Sequence, residues 1–291
     1  MRKMSAAILP FKAPPRVRPA SPPLDSAVAD MTFVGSPPRL LSLYNRAPYR
    51  VLFPRAEAGT PPLAVVANLS GGIVAGDRMA LTAAASDGAS LVVTTQAAEK
   101  VYRSFDSRRA ETSVRLEAGP GAWIEWLPFE TILFDESRLS RTLAIDVAPD
   151  ARVAAGEMLV FGRSAYGETL NGGFLADSWD VRFAGRSVWA DAFRMEQPGK
   201  ILKHPAGLAG ARAAATFVYV GADAAAYLDA ARALGEAEEV RFGATVMGPV
   251  LIARWLSPRP EVLRAAYAAF RAEFRALAFG LPARLPTIWS L

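Results

Sequence analysis

No cysteine occurs in the 291 residues of the chain. That absence excludes disulfides, thiolate catalysis and zinc fingers, and it suits a reducing compartment such as the cytoplasm. Histidine is nearly missing as well, His204 being the sole one. Tight sites for nickel, copper or zinc are built from thiolate and imidazole, so the chain offers none of its own, although carboxylates and water can pass a metal along weakly. A Ser-His-Asp relay would have to use His204, whose context Lys203-His204-Pro205 reads as a surface loop. No run approaches the ~20 apolar residues of a membrane-spanning helix. The opening Met1–Pro10 holds too short an apolar run for a signal peptide.

What is present is an apolar chain with an uneven charge. Hydrophobic residues make up 52% of it, enough for a sizeable core. The formal charge is +5, yet residues 1–55 hold nine Lys/Arg against Asp25 and Asp30, or +7, which leaves −2 for the rest. Pro10, Pro14, Pro15, Pro19, Pro22 and Pro23 fall in the same head. Residues 1–30 therefore read as an extended, flexible, basic head, and residues 31–291 as one folded unit. The folded part has no basic stripe interleaved with aromatics, which argues against nucleic acid as a partner.

From Leu40 onward the text is that of short strands: Leu40–Tyr44, Tyr49–Phe53 and Leu63–Ala67, then a glycine turn. Beyond it a unit recurs. Asp87-Gly88-Ala89-Ser90-Leu91, Pro120-Gly121-Ala122-Trp123-Ile124 and Pro149-Asp150-Ala151-Arg152-Val153 each set a turn, an alanine, a variable residue and an aliphatic in order, with the alanines 33 and 29 residues apart. Each unit returns through a strand of period two. Val114 and Leu116 share a face, as do Leu143, Ile145 and Val147, and as do Trp179, Val181 and Phe183. The expected fold class is mainly β, with strands stacked as a solenoid or packed as a sandwich.

The C-terminal third adds about two α-helices, spanning roughly residues 221–280. Asp223 is placed to cap Asp223–Leu234, and Ser257 to cap a longer helix ending at Gly280. In that helix Leu263, Ala266, Tyr267, Phe270, Phe274 and Leu277 form an apolar stripe, which leaves Arg264, Arg271, Glu273 and Arg275 as a solvated side.

Two constellations invite chemistry. The turn Ser70–Asp77 resembles a phosphate cradle, but Asp77 stands where a P-loop needs its lysine and repels phosphate. Gly71, Gly72 and Gly76 then supply backbone conformations closed to other residues, with Asp77 capping N–H groups or pairing with Arg78. The acids Glu130, Asp135, Glu136, Glu157 and Glu168 could furnish a glycosidase-like pair, which keeps a β-rich hydrolase as the alternative function. Counted from the unit alanines, Gln96, Glu130 and Glu157 fall at +7, +8 and +6. Glu130 and Glu157 agree in parity, and Gln96 joins them through a one-residue bulge, so the three can line a wet, cation-tolerant path. Salt bridges to Lys100, Arg103 or Arg163 are the simpler use of those acids.

Several of these residues resemble one family as an ordered set. The set comprises Ser70-Gly71-Gly72…Gly76-Asp77, Thr94-Thr95-Gln96…Lys100-Val101-Tyr102-Arg103 and Leu127-Pro128…Glu130-Thr131-Ile132…Phe134. It goes on with Glu157-Met158…Gly162-Arg163…Gly167-Glu168, Trp189-Ala190-Asp191, the Leu263…Phe274-Arg275 helix and Pro286…Trp289. In order and spacing this resembles the urease accessory protein UreD, also called UreH, over residues 39–291. The resemblance implies a non-enzymatic role: a scaffold that binds UreF, through it the GTPase UreG, and apo-urease. Nickel would cross it in transit with no cofactor held tightly. Glu130, Glu157, Asp135 and Gln96 are the candidates for the nickel route. Gly71, Gly72, Gly76, Asp77, Thr95, Lys100, Tyr102, Gly162, Arg163 and Glu168 are the candidates for structure. Ala75 stands where the family often has glycine, and Thr287 where it usually has arginine.

Overall fold

A strand with apolar residues at every second position needs one covered face. The chain supplies it by sending successive strands to two facing sheets. The computed structural model describes residues 27–55 and 59–290. Its strands begin with β1 (Ala27–Val34), β2 (Arg39–Arg46), β3 (Tyr49–Leu52), β4 (Leu63–Asn68), β5 (Arg78–Ser86) and β6 (Ser90–Thr95). They continue with β7 (Glu99–Val101), β8 (Ala110–Ala118), β9 (Trp123–Leu127), β10 (Thr131–Leu133), β11 (Arg138–Val147) and β12 (Arg152–Phe161). The last are β13 (Phe174–Phe183), β14 (Arg186–Met195), β15 (Ala213–Val220), β16 (Arg241–Met247) and β17 (Val250–Ser257). Three α-helices join them: α1 (Pro198–Lys203), α2 (Leu228–Gly235) and α3 (Pro260–Phe279).

The first sheet runs β14-β13-β11-β8-β5-β1-β2, and the second β16-β17-β15-β12-β9-β6-β4-β3 with β10 and β7 attached beside β12. Between β5 and β13 the chain passes back and forth between the sheets, with β6–β7 and β9–β10 both in the second, and the neighbours in each are parallel. The centre is thus a parallel solenoid, flanked by antiparallel strands that complete a sandwich. Both readings of the periodicity hold at once.

The repeat is physical. Leu91, Ile124 and Val153 stand in register on β6, β9 and β12, and the amides of Trp123 and Arg152 donate to the carbonyls of Ala89 and Ala122 in the preceding coils. Ala89, Ala122 and Ala151 are all buried. Val114, Leu143 and Trp179 are likewise in register in the first sheet. The space between the sheets is filled by these residues with Ala29, Met31, Phe33 and Trp126. A separate cluster lies on the other face of the second sheet, where α2 and α3 cover Met158, Phe217, Tyr219 and Trp255.

Several expectations need correcting. β1 starts at Ala27, so the fold takes in part of the region assigned to the head; the rest of that head lies outside the described residues. The short α1 was not anticipated. Asp223 caps no helix, because Ala224–Tyr227 is 3-10 and its carboxylate accepts from Tyr219 and Tyr227 hydroxyls instead. Ser257 ends β17, and its Oγ accepts the Arg259 amide just before α3 begins. α3 does close on Gly280, in the left-handed conformation. Its charged side is not uniformly solvated: Arg271 and Arg275 are buried, and Leu277 is the exposed one.

Candidate functional site

Turns from separate coils converge at one end of the solenoid. Asp77 turns its carboxylate onto the Val74 amide at 2.9 Å, while Arg78 pairs with Glu111 at the surface. Gly72 has φ +151°, and a Cβ there would sit 2.4 Å from the Tyr102 ring, so only glycine lets Tyr102 lie flat on the turn. The Tyr102 hydroxyl then donates to Gly71 O, and its ring meets Phe134 edge-on. The Lys100 carbonyl accepts the Ile73 amide, and the Lys100 side chain is exposed. Arg163 stacks over Phe134 and pairs with Glu168, whose carboxyl is held below the usual range by the Arg163 hydrogen bonds. Gly162 (φ +86°) lies close under the Glu168 carbonyl. Asp135 accepts the amides of Asn171 and Gly172. Thr95 Oγ1 accepts the Phe129 amide, and Trp289 stacks on Phe129 while donating to Thr94. These residues hold turns together.

Between the sheets the picture is different. Arg141 on β11 sits 2.7 Å from Glu157 on β12 and 2.7 Å from Asp177 on β13, all three buried. The Trp126 indole donates to Glu157 at 2.8 Å. One cation therefore faces two acids. Burial pushes the Glu157 carboxyl up, against the pull of Arg141 and the Trp126 bond. Burial alone would lower Arg141, but Asp177 and Glu157 outweigh it and hold the guanidinium charged. A further acid lies along the same space. Glu99 accepts both amide protons of Asn68, and burial raises its carboxyl too. Burial, Glu99 and Glu157 together keep the Tyr49 phenol protonated. Beside the arginine a cavity of about 290 Å³ is lined by Arg141, Glu157, Asp177, Thr216 and, at its rim, the paired Asp191 and Arg254.

A second buried cluster lies behind this one. Glu125, next to Trp126 on β9, faces α3, where Arg271 and Arg275 approach it at 3.4 and 3.0 Å. Arg271 also donates to Tyr267 and to the Trp126 carbonyl. Here two cations face one acid.

The candidate acids are not brought together. Glu157 points between the sheets, whereas Glu130 lies on the helix side, 3.6 Å from Arg264 of α3. The expected common face of Glu130 and Glu157 is therefore not what the structure has; the coil between β9 and β10 breaks the parity. Gln96 is exposed at the end of β6. None of the expected salt bridges to Lys100 or Arg103 forms among the described residues, and Arg163 goes to Glu168. The two acids that do meet, Glu157 and Asp177, are bridged by an arginine, which is unlike a glycosidase pair. Among the described residues no three His, Cys, Asp or Glu side chains converge to hold a metal.

Arg141, Asp177 and Glu99 escaped the sequence reading. The signal was there for two of them. Extending the inward parity of Leu143, Ile145 and Val147 back by two gives Arg141, and that of Trp179, Val181 and Phe183 gives Asp177. A charge in phase with the apolar face has to find a buried partner.

Comparison with known proteins places this geometry. The family model described as UreD urease accessory protein matches residues 26–290. A urease accessory protein UreD of Magnetococcus marinus is 42% identical over 87% of the chain and 89% of its own length. One of Azorhizobium caulinodans is 43% identical over 83% of the chain and 87% of its own length. One of a Methylobacterium species is 42% identical over 88% and 90%.

Proposed function

Since the chain belongs to the UreD urease accessory protein family, we propose that it is a non-catalytic scaffold of urease maturation that works in the cytoplasm. It binds UreF, through UreF the GTPase UreG, and apo-urease, and nickel is its cargo. The observation that carries the nickel part is the acid excess between the sheets. Glu157 and Asp177 are buried against Arg141, and half-buried Glu99 stands beside Thr131, whose hydroxyl faces the same arginine, so three carboxyls share this space with one buried arginine.

Such an arrangement suits a passing divalent cation. The acids outnumber the arginine, so the space attracts a cation, and their oxygens can take it up as it passes. The lack of converging imidazoles and thiolates keeps residence short. Of the original candidates Glu157 remains on this route. Glu130, Asp135 and Gln96 are assigned other work: an ion pair to α3, a turn cap and a surface position. No helix among the described residues is long and apolar enough to cross a membrane.

Co-purification tests the scaffold role. Full-length chain should capture UreF and apo-urease, and UreG only when UreF is present. A chain that captures neither and hydrolyses glycosides overturns the reading in favour of the hydrolase.

A further inference from the structure

The β2 edge of the first sheet is apolar and basic, and no described residue pairs along its outer side. Among the described residues β2 is the terminal strand, bonded to β1 alone. Leu40, Leu41, Leu43 and Tyr44 are exposed, with Leu41 at 66%. Leu40 and Leu43 follow the inward parity, opposite buried Phe33 and Met31, yet both are left exposed. Phe53, just after β3, packs its ring on Phe33 and is itself partly open. The mouth of the sandwich at this end is therefore an apolar groove beside a row of free backbone N–H and C=O groups. Exposed edges of this kind template the addition of a strand.

Charge selects the occupant. The stretch Ala27–Phe53 carries Arg39, Arg46 and Arg50 against Asp30 alone, and none of the three arginines is in an ion pair with a described residue. A second copy pairing antiparallel along β2 would set Arg39 beside Arg46 twice, a like-charge contact that opposes it. The chain's own residues 1–26 hold five Lys/Arg and one acid, a like charge that argues against them as the occupant. The bulge that leaves Leu41 unpaired with β1 further spoils a long flat contact and confines regular pairing to Ser42–Arg46.

We propose that Ser42–Arg46 of β2 takes an added strand from a partner protein, an extended segment in which aliphatic residues alternate with Asp or Glu. The aliphatic side chains fill the groove of Leu40, Leu43 and Phe53, and the acids meet Arg39 and Arg46. Self-pairing is suppressed by the same arginines that favour the acidic partner.

The test uses the full-length chain and two heptapeptide probes, one alternating valine with glutamate and one alternating valine with lysine. Fluorescence anisotropy and hydrogen exchange are read together. The acidic peptide should bind and slow exchange of the Ser42–Arg46 amides. Arg39→Glu with Arg46→Glu, of unchanged circular dichroism, should weaken it by about tenfold, which is two exposed pairs at ~0.7 kcal/mol each. Equal binding of both peptides, or of neither, overturns the proposal. So does a concentration-dependent dimer, which assigns the edge to a second copy. Amides of β2 already protected in the free monomer assign it to the chain's own head, and overturn the proposal as well.

Discussion

Two buried ion clusters lie back to back across β9, one on each side of the second sheet, and they carry opposite excess charge. Between the sheets Arg141 serves Glu157 and Asp177; under α3 Glu125 serves Arg271 and Arg275. Their surroundings differ as much as their sign. The helix-side cluster is sealed by Tyr267, Phe217 and the Trp126 carbonyl, with Arg271 1% exposed. The inter-sheet cluster borders a cavity of about 290 Å³. A group that only fastens a helix has no use for open space beside it, whereas one that meets a mobile cation does. The helix-side cluster reads as a fastening, and the inter-sheet cluster is the place of passage in the proposed function.

Protonation separates them sharply. Acids can take up protons when a partner is lost, and arginines cannot shed theirs. Arg141→Met leaves Glu157 and Asp177 buried face to face and should cost about 3–5 kcal/mol at neutral pH, read by urea unfolding. The loss should shrink as the pH falls towards the ordinary carboxylate range. The Glu157 carboxyl is already raised in the fold. An acid whose folded pKa exceeds its unfolded value takes its proton in the folded state first, so acidification through that window favours folding. Glu125→Gln strands two guanidiniums instead. Its cost should be similar, about 3–5 kcal/mol, but flat between pH 8 and 5. Parallel pH curves for the two variants would erase the distinction.

Smaller effects sharpen it. Arg275→Met removes the outer arginine, which also donates to Arg284 O, and should cost about 1.5–3 kcal/mol. Arg271 then remains to neutralise Glu125, so the protein should stay folded. Arg78→Ala breaks only the exposed pair with Glu111 and should shift stability by less than ~0.5 kcal/mol. A larger change there would mean that surface pairs, not buried clusters, govern this fold.

How much of this could be read in advance varied with the range of the interaction. The solenoid units were legible because Ala89, Ala122 and Ala151 repeat locally and alternation needs no partner to be seen. Gly72, Tyr102, Arg163 and Glu168 stood out as motif residues, but their meeting at one end of the solenoid depends on coils stacked some 30 residues apart in sequence. The clusters were the hardest. Arg141 and Asp177 were visible as charges in the inward phase of two strands, a signal passed over because each strand looked amphipathic without them. Arg271 and Arg275 were set on the solvent side of α3 because they are charged. Glu125 reverses that assignment, and nothing in α3 itself announces Glu125, which lies 146 residues away from Arg271. Gln96, Glu130 and Glu157 were grouped by counting from the alanines, and the count fails where the chain leaves β9 through Pro128 before β10.

The central claim is that the inter-sheet acids conduct nickel while the helix-side cluster does not. Glu157→Gln tests it most directly, since the amide keeps the shape, can still accept the Trp126 indole and leaves Arg141 paired with Asp177. The measurement is the nickel content of urease activated in its presence, with capture of UreF and apo-urease checked on the same preparation. The account predicts intact capture and a clear fall in nickel per active site. Full nickel loading by the Glu157→Gln chain would contradict it.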